Sequence, residues 1–173
     1  MSISRTLVAA LVALLGCAHS TKSTWNPAER QLCNSRLCYQ VGPLDESWKL
    51  IAIKDGSLTF SNPALGAVIQ SAVTCKETVT DAAPLSALMR HLLIGYTDRT
   101  VRSSEDEMLA GRAGFHQILD VHLDGVPIVL DLHVIRRDGC IFDLALAVPP
   151  NHYEKGAPAF VRFVAEFGSR SQS

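Results

Sequence analysis

The sequence predicts an α+β fold: a single domain built on an antiparallel β-sheet, with a C-terminal β-meander and flanking helices. Three observations lead there. Residues 111–150 hold three long alternating runs separated by Asp124-Gly125 and Asp138-Gly139. Asp-Gly between alternating runs marks a tight hairpin, because both central residues of the favoured turn need positive φ. Residues 81–96 change period, with Leu85, Leu88, Met89, Leu92 and Leu93 recurring at the spacing of an amphipathic helix. Finally, 173 residues at 47% hydrophobic suffice for one domain with a sizeable core and argue against disorder.

The formal net charge is −1, with no basic excess to suit nucleic acid and no acidic run to form an interaction tail. The N-terminus reads as a targeting segment. Arg5 precedes an apolar stretch, Leu7–Leu15, too short to span a bilayer. It ends in Leu14-Leu15-Gly16-Cys17, which resembles the lipobox of bacterial lipoproteins. That resemblance implies removal of residues 1–16 as a signal peptide, with a diacylglyceryl group on the Cys17 thiol and an acyl chain such as palmitate on its amine. Several chains anchor stably where one does not. The competing reading is an ordinary secretory signal with an incidental cysteine. Ala18 follows; under the enterobacterial sorting rule, the absence of Asp there points to the outer membrane, facing the periplasm. Residues 17–25 are then the lipidated cysteine and a short polar tether, in which the eight residues after Cys17 reach at most about 28 Å.

Four cysteines remain, Cys33, Cys38, Cys75 and Cys140, and an even number in an exported chain suggests two disulfides. Three connectivities are possible. Cys33–Cys38 is preferred because C-x4-C closes a small local loop; Cys75 and Cys140 would then join distant strands. A four-cysteine zinc site fits neither compartment nor spacing.

Within the domain, 26–168, Asn26-Pro27-Ala28-Glu29 reads as a helix start running to about Ser35. Strands are expected at Leu37–Val41, Trp48–Ile53, Ser57–Ser61 and Ala67–Lys76, with Asp55-Gly56 closing a hairpin that sets Ile53 opposite Leu58 and Ile51 opposite Phe60. In the helix at 81–96, Pro84 falls in the first turn, where no intrahelical donor is lost. Thr97–Glu107 is polar and reads as a solvated loop or strand end. After the meander, Pro149-Pro150 breaks the sheet, and Ala157–Phe167 forms a helix with Phe160, Phe163, Val164 and Phe167 inward. Residues 169–173 are expected to be a flexible tail.

A two-residue loop at Asp124-Gly125 pairs Leu119 with Leu130 and Val121 with Ile128. A two-residue second loop would put Asp143 on the same apolar face. Burying an unpaired carboxylate is expensive, so a three-residue loop, Arg137-Asp138-Gly139, is expected instead. His116, His133 and Asp143 then form a row on the opposite face, with Asp131, Asp120 and His122 nearby. Such a row can bind a metal or act as base and orienting carboxylate. The plainer reading is the solvated side of an antiparallel sheet. No G-x-S-x-G, H-E-x-x-H, phosphate loop or dinucleotide fingerprint occurs. No cofactor or bound metal is expected.

The stretch Tyr39-Gln40-Val41-Gly42-Pro43-Leu44-Asp45-Glu46-Ser47-Trp48 resembles the opening of PsbP-like domains: strand, proline turn, tryptophan. The mid-chain helix, the Gly111-Arg112-Ala113-Gly114 entry to the meander and the Phe-rich last helix fit the same order over about 37–168. The resemblance implies an α/β/α sandwich and, for most members, binding or assembly roles without catalysis. The Cys33–Cys38 segment departs from the pattern, and no functional residue carries over. The sequence thus points to a lipid-anchored envelope module whose partners are the membrane and an envelope protein or small ligand, not nucleic acid. The rival readings are a His/Asp acid–base or metal-dependent enzyme using the polar row, and a purely structural envelope lipoprotein.

Overall fold

A computed structural model describes residues 23–75 and 83–171. The signal peptide, Cys17, most of the tether, Lys76 and the helix start at Thr80–Asp81 lie outside the described residues. The strands are β1 (Thr24–Asn26), β2 (Gln31–Cys33), β3 (Leu37–Gln40), β4 (Lys49–Lys54), β5 (Ser57–Asn62), β6 (Ala67–Cys75), β7 (Thr97–Leu109), β8 (Arg112–Leu123), β9 (Val126–Arg137), β10 (Cys140–Val148) and β11 (Gly168–Ser171). Helix α1 is Leu85–Leu92, and α2, Tyr153–Ala165, follows a 3-10 turn at Pro150–His152.

Seven strands form one antiparallel sheet in the order β4-β5-β6-β10-β9-β8-β7, and four form a smaller sheet in the order β1-β2-β3-β11. The three Asp-Gly turns behave as their chemistry requires. Asp55, Asp124 and Asp138 have φ near 50°, and the following glycines have φ of 75–83°, the conformation of tight two-residue hairpins. The expected pairs Leu119 with Leu130, Val121 with Ile128 and Ile53 with Leu58 are present. A bulge between Leu50 and Ala52 sets Leu50, rather than Ile51, opposite Phe60.

Alternation along β9 and β10 divides the core in two. Val129 and Ile135, with Phe142, Leu144 and Leu146, pack against Phe160 and Phe163 of α2 and against Leu32 and Tyr39 of the small sheet. Leu130, Leu132 and Val134, with Leu119 and Val121, pack against Met89 of α1 and Leu93 just after it. The two helices therefore cover opposite faces of the large sheet. Tyr39 ties the small sheet to the large one, with its hydroxyl donating to the Gly56 carbonyl at 3.0 Å and lying 3.0 Å from Ser71 Oγ. Burial pushes that phenol well above its ordinary pKa, although the Ser71 contact works the other way. Gly42 lets the chain cross α2 closely: its N–H donates to the Phe163 carbonyl at 2.8 Å, and a Cβ there would fall 1.8 Å from the Arg162 carbonyl oxygen.

Four further sequence expectations need correction. Residues 26–35 form the β1–β2 hairpin and the turn into β3, not a helix. The Asn26 carboxamide oxygen does accept the Ala28 and Glu29 N–H groups, but that Asx turn leads into a strand. Thr97–Glu107, expected as a solvated loop or strand end, lies within a 13-residue strand. Residues 169–171, expected in a flexible tail, pair with β3 as part of β11. Finally, the second meander loop has two residues, since Cys140 pairs directly with Arg137. Both disulfides have the preferred connectivity, Cys33–Cys38 and Cys75–Cys140, and each bridges directly paired residues of neighbouring strands.

Candidate functional site

The two-residue loop splits the expected polar row. With Cys140 opposite Arg137, Asp143 pairs with Val134 and faces α1, whereas His133 and Asp131 face α2. The His116–His133–Asp143 constellation therefore does not form. What does form is a cluster on the α2 face around His116, His133 and Asp131.

His116 and His133 are direct cross-strand partners on β8 and β9. Their rings stack with centroids 4.0 Å apart and planes 3° from parallel. Asp131, only 3% exposed, lies beside both Nε2 atoms, at 2.7 Å from that of His116 and 3.8 Å from that of His133. The other edge of the pair meets β7. Glu107 Oε1 lies 2.7 Å from His133 Nδ1, and Glu105 Oε1 lies 3.4 Å from His116 Nδ1. Tyr153, the first residue of α2, donates to Asp131 Oδ2 at 2.9 Å, and Phe160 packs on His133 with centroids 5.5 Å apart. Farther along, Arg102 forms a two-pronged contact with Asp120 at 2.6 and 2.7 Å and lies over the Tyr153 ring.

Glycine makes the longest reach possible. Gly114 lies opposite Glu107, and a Cβ there would meet Glu107 Cγ at 3.0 Å and Oε1 at 3.1 Å. The bare backbone leaves a path for the Glu107 side chain to cross β8 to His133 on β9. Asp131 raises the His116 pKa by its hydrogen bond; burial opposes this, and the charge of Asp131 and contact with Glu105 reinforce it. Burial, then the charge and hydrogen bond of Asp131, push the Tyr153 phenol above its ordinary value. Arg102 holds the Asp120 carboxyl below its ordinary range.

Glu107, His116 and His133 each offer a ligand atom, and the three atoms lie within 4.8 Å of one another. Imidazole lone pairs lie in the ring plane, however, and two parallel, stacked planes cannot aim at one ion. A shared ion would require one ring to turn, and turning His116 would break its bond to Asp131. In the observed geometry the cluster is a hydrogen-bonded network tying β7, β8, β9 and α2 together.

The sequence reading missed Glu105, Glu107 and Tyr153. The two glutamates were recoverable, since they alternate on one face once β7 is read as a strand. Tyr153 carries no local signal.

The described residues also line a partly open cavity of about 230 Å³ on the opposite, α1 face. It is lined by Ala72 of β6, by Asp143, Ala145 and Ala147 of β10, and by Leu92 and Tyr96 at the end of α1, among others. Burial pushes the Asp143 carboxyl up to about 6.

No family model and no curated protein matches the chain. Solved structures do. A protein of unknown function from Pseudomonas aeruginosa is 15% identical, with 87% of this chain and 99% of that one covered at a TM-score of 0.56. The cyanobacterial PsbP protein CyanoP from Synechocystis is 10% identical, with 92% and 99% covered at 0.54. LpqN, involved in cell envelope biogenesis of Mycobacterium tuberculosis, is 8% identical, with 78% and 84% covered at 0.55. At such identities the likeness concerns the fold, and the fold is PsbP-like.

Proposed function

We propose that this chain is an exported lipoprotein, anchored to the envelope through Cys17, whose domain is a binding or assembly module rather than an enzyme. The observation that carries the binding role is the open, mostly apolar groove beside the sheet on the α1 face, the kind of concave surface that small-ligand and partner sites use. Two disulfides fit export to an oxidising compartment. Among the described residues no helix is long and apolar enough to cross a membrane. LpqN, of similar fold, belongs to envelope biogenesis, which supports the same location. The lack of Asp after Cys17 favours the outer membrane and its periplasmic face.

The non-catalytic reading draws on the polar cluster. His116 has a carboxylate at each nitrogen, His133 is engaged at Nδ1, and Asp131 accepts at both oxygens. A catalytic base needs an atom open to a substrate proton; three of the four ring nitrogens have a carboxylate oxygen within 3.4 Å, and the fourth, His133 Nε2, lies 3.8 Å from Asp131.

The test is mass spectrometry of the mature N-terminus after labelling with an alkyne fatty acid. A Cys17-initiated, label-bearing peptide is expected, and Cys17→Ser should release the protein from the membrane fraction. An unmodified N-terminus downstream of Cys17 would remove the anchor from the proposal.

A further inference from the structure

The groove on the α1 face carries a carboxylate that no cationic group among the described residues balances. Strand β10 alternates strictly, so Ile141, Asp143, Ala145 and Ala147 all point toward the α1 side. Helix α1 has eight residues and packs over β8 and β9 through Met89, joined by Leu93 just beyond its end. Beyond its Leu92 edge, β10 and β6 are left as the floor of a trough, and alanines at 72, 145 and 147 keep that floor low. Asp143 stands in this trough with no hydrogen-bond or ion-pair partner among the described residues; burial alone acts on it. The remaining polar lining is Gln70 and Tyr96.

We propose that this groove binds a small organic cation, with its ammonium group on the Asp143 carboxylate and its apolar body along Ala72, Ala145 and Ala147 toward Leu92. The inference rests on reading the groove as the binding surface of the domain, and it names the ligand class. Three physical points select that class. A partly buried, unpaired carboxylate costs free energy, and a cation in the groove relieves that cost where a neutral ligand does not. A divalent metal is a poor occupant, because calcium takes six to eight oxygen ligands and magnesium a full octahedron, whereas the lining offers one carboxylate. The cavity, about 230 Å³, falls below the roughly 300–1,000 Å³ of sites for drug-sized ligands. The occupant's apolar part is thus a short alkyl chain or a single ring.

The experiment compares n-hexylamine with 1-hexanol on the full chain, followed by amide NMR at neutral pH. Hexylamine should shift the amides of Ala72, Asp143 and Ala145 and pull the Asp143 carboxyl back toward ordinary acidity. In Asp143→Asn, hexylamine binding should weaken by about tenfold to a hundredfold, the range of one charge-assisted hydrogen bond, while hexanol binding stays unchanged. The substitution keeps the side chain's shape and removes an unbalanced charge, so loss of folding does not confound it. If hexylamine binds no better than hexanol, or Asp143→Asn binds it equally well, the cation proposal is overturned while the groove survives as a binding surface. If neither probe perturbs the groove amides, both readings fall. Binding of N-acetyl-lysine methylamide without hexylamine would assign the ammonium to a partner protein's lysine and overturn the small-molecule occupant.

Discussion

Replacing Asp143 with Asn should make this protein more stable at neutral pH. The carboxyl faces an apolar groove with no partner among the described residues, and burial moves it from 3.8 to about 6. Each pH unit of displacement corresponds to about 1.4 kcal/mol, so the ionised side chain costs the folded state about 3 kcal/mol. The sign follows from proton linkage. The folded carboxyl holds its proton more tightly than the unfolded one. The penalty is therefore absent below about pH 4, grows as pH rises toward 6, and is full above that. Urea unfolding with the disulfides intact measures it directly. At pH 7.5 Asp143→Asn should gain about 3 kcal/mol, a midpoint shift of roughly 1.5 M at an m-value of about 2 kcal/mol/M. At pH 4 the two proteins should nearly coincide. Equal stability at pH 7.5, or a gain of the same size at both pH values, would refute the assignment of an unpaired, desolvated carboxylate. Greater stability with poorer cation binding is the exchange expected where a site is kept for function.

Other perturbations address the rest of the molecule. Asp131→Ala strips acceptors from His116 and Tyr153 in a buried position and should cost about 3–5 kcal/mol by chemical denaturation. Because Asp131 raises the His116 pKa, the stabilisation from that pair is full below about pH 6.5 and is lost as pH climbs through the folded value. The stability difference between wild type and Asp131→Asn should therefore shrink from pH 6 to pH 9, and a difference that grows would contradict the pairing. Gly114→Ala places a methyl against Glu107 and should cost about 1–3 kcal/mol. A double-mutant cycle with Glu107→Gln should then show strong non-additivity, as expected for contacting groups. Removing Cys75–Cys140, which spans 65 residues, should cost about 4 kcal/mol, and removing Cys33–Cys38, which spans 5, about 2 kcal/mol. A reversed order in calorimetry or urea titration would show that native-state strain, rather than chain entropy, dominates.

Much of the fold was legible along the chain because its signals are local. Asp55-Gly56, Asp124-Gly125 and Asp138-Gly139 dictate their turns through backbone φ, and the leucine spacing of 85–93 marks α1 wherever it packs. β7 was not legible for the converse reason. Its hairpin turns at Ala110-Gly111, with Ala110 at φ 52°, a conformation alanine seldom adopts. Its polar run Ser103–Glu107 has no apolar alternation because the strand lies at the edge of the sheet. The Asn26 start was misread because an Asx turn and a helix N-cap present the same residue to the same amides.

The candidate site divides in the same way. Pairing of His116 with His133 follows from the Asp124-Gly125 turn alone, since a fixed two-residue loop sets the register of everything beyond it. The placement of Asp143 does not follow from the sequence. The expectation assumed one dry face and one wet face. Helices cover both faces of this sheet, so apolar and polar residues occur on each, and a one-residue change of loop reverses every side chain on β10. Only the tertiary structure decides that Asp143 lies under the edge of α1 while His116, His133 and Asp131 meet Glu107 and Tyr153 beneath α2. Local chemistry determines turns and periods; which face is covered, and by what, depends on elements far away in the chain.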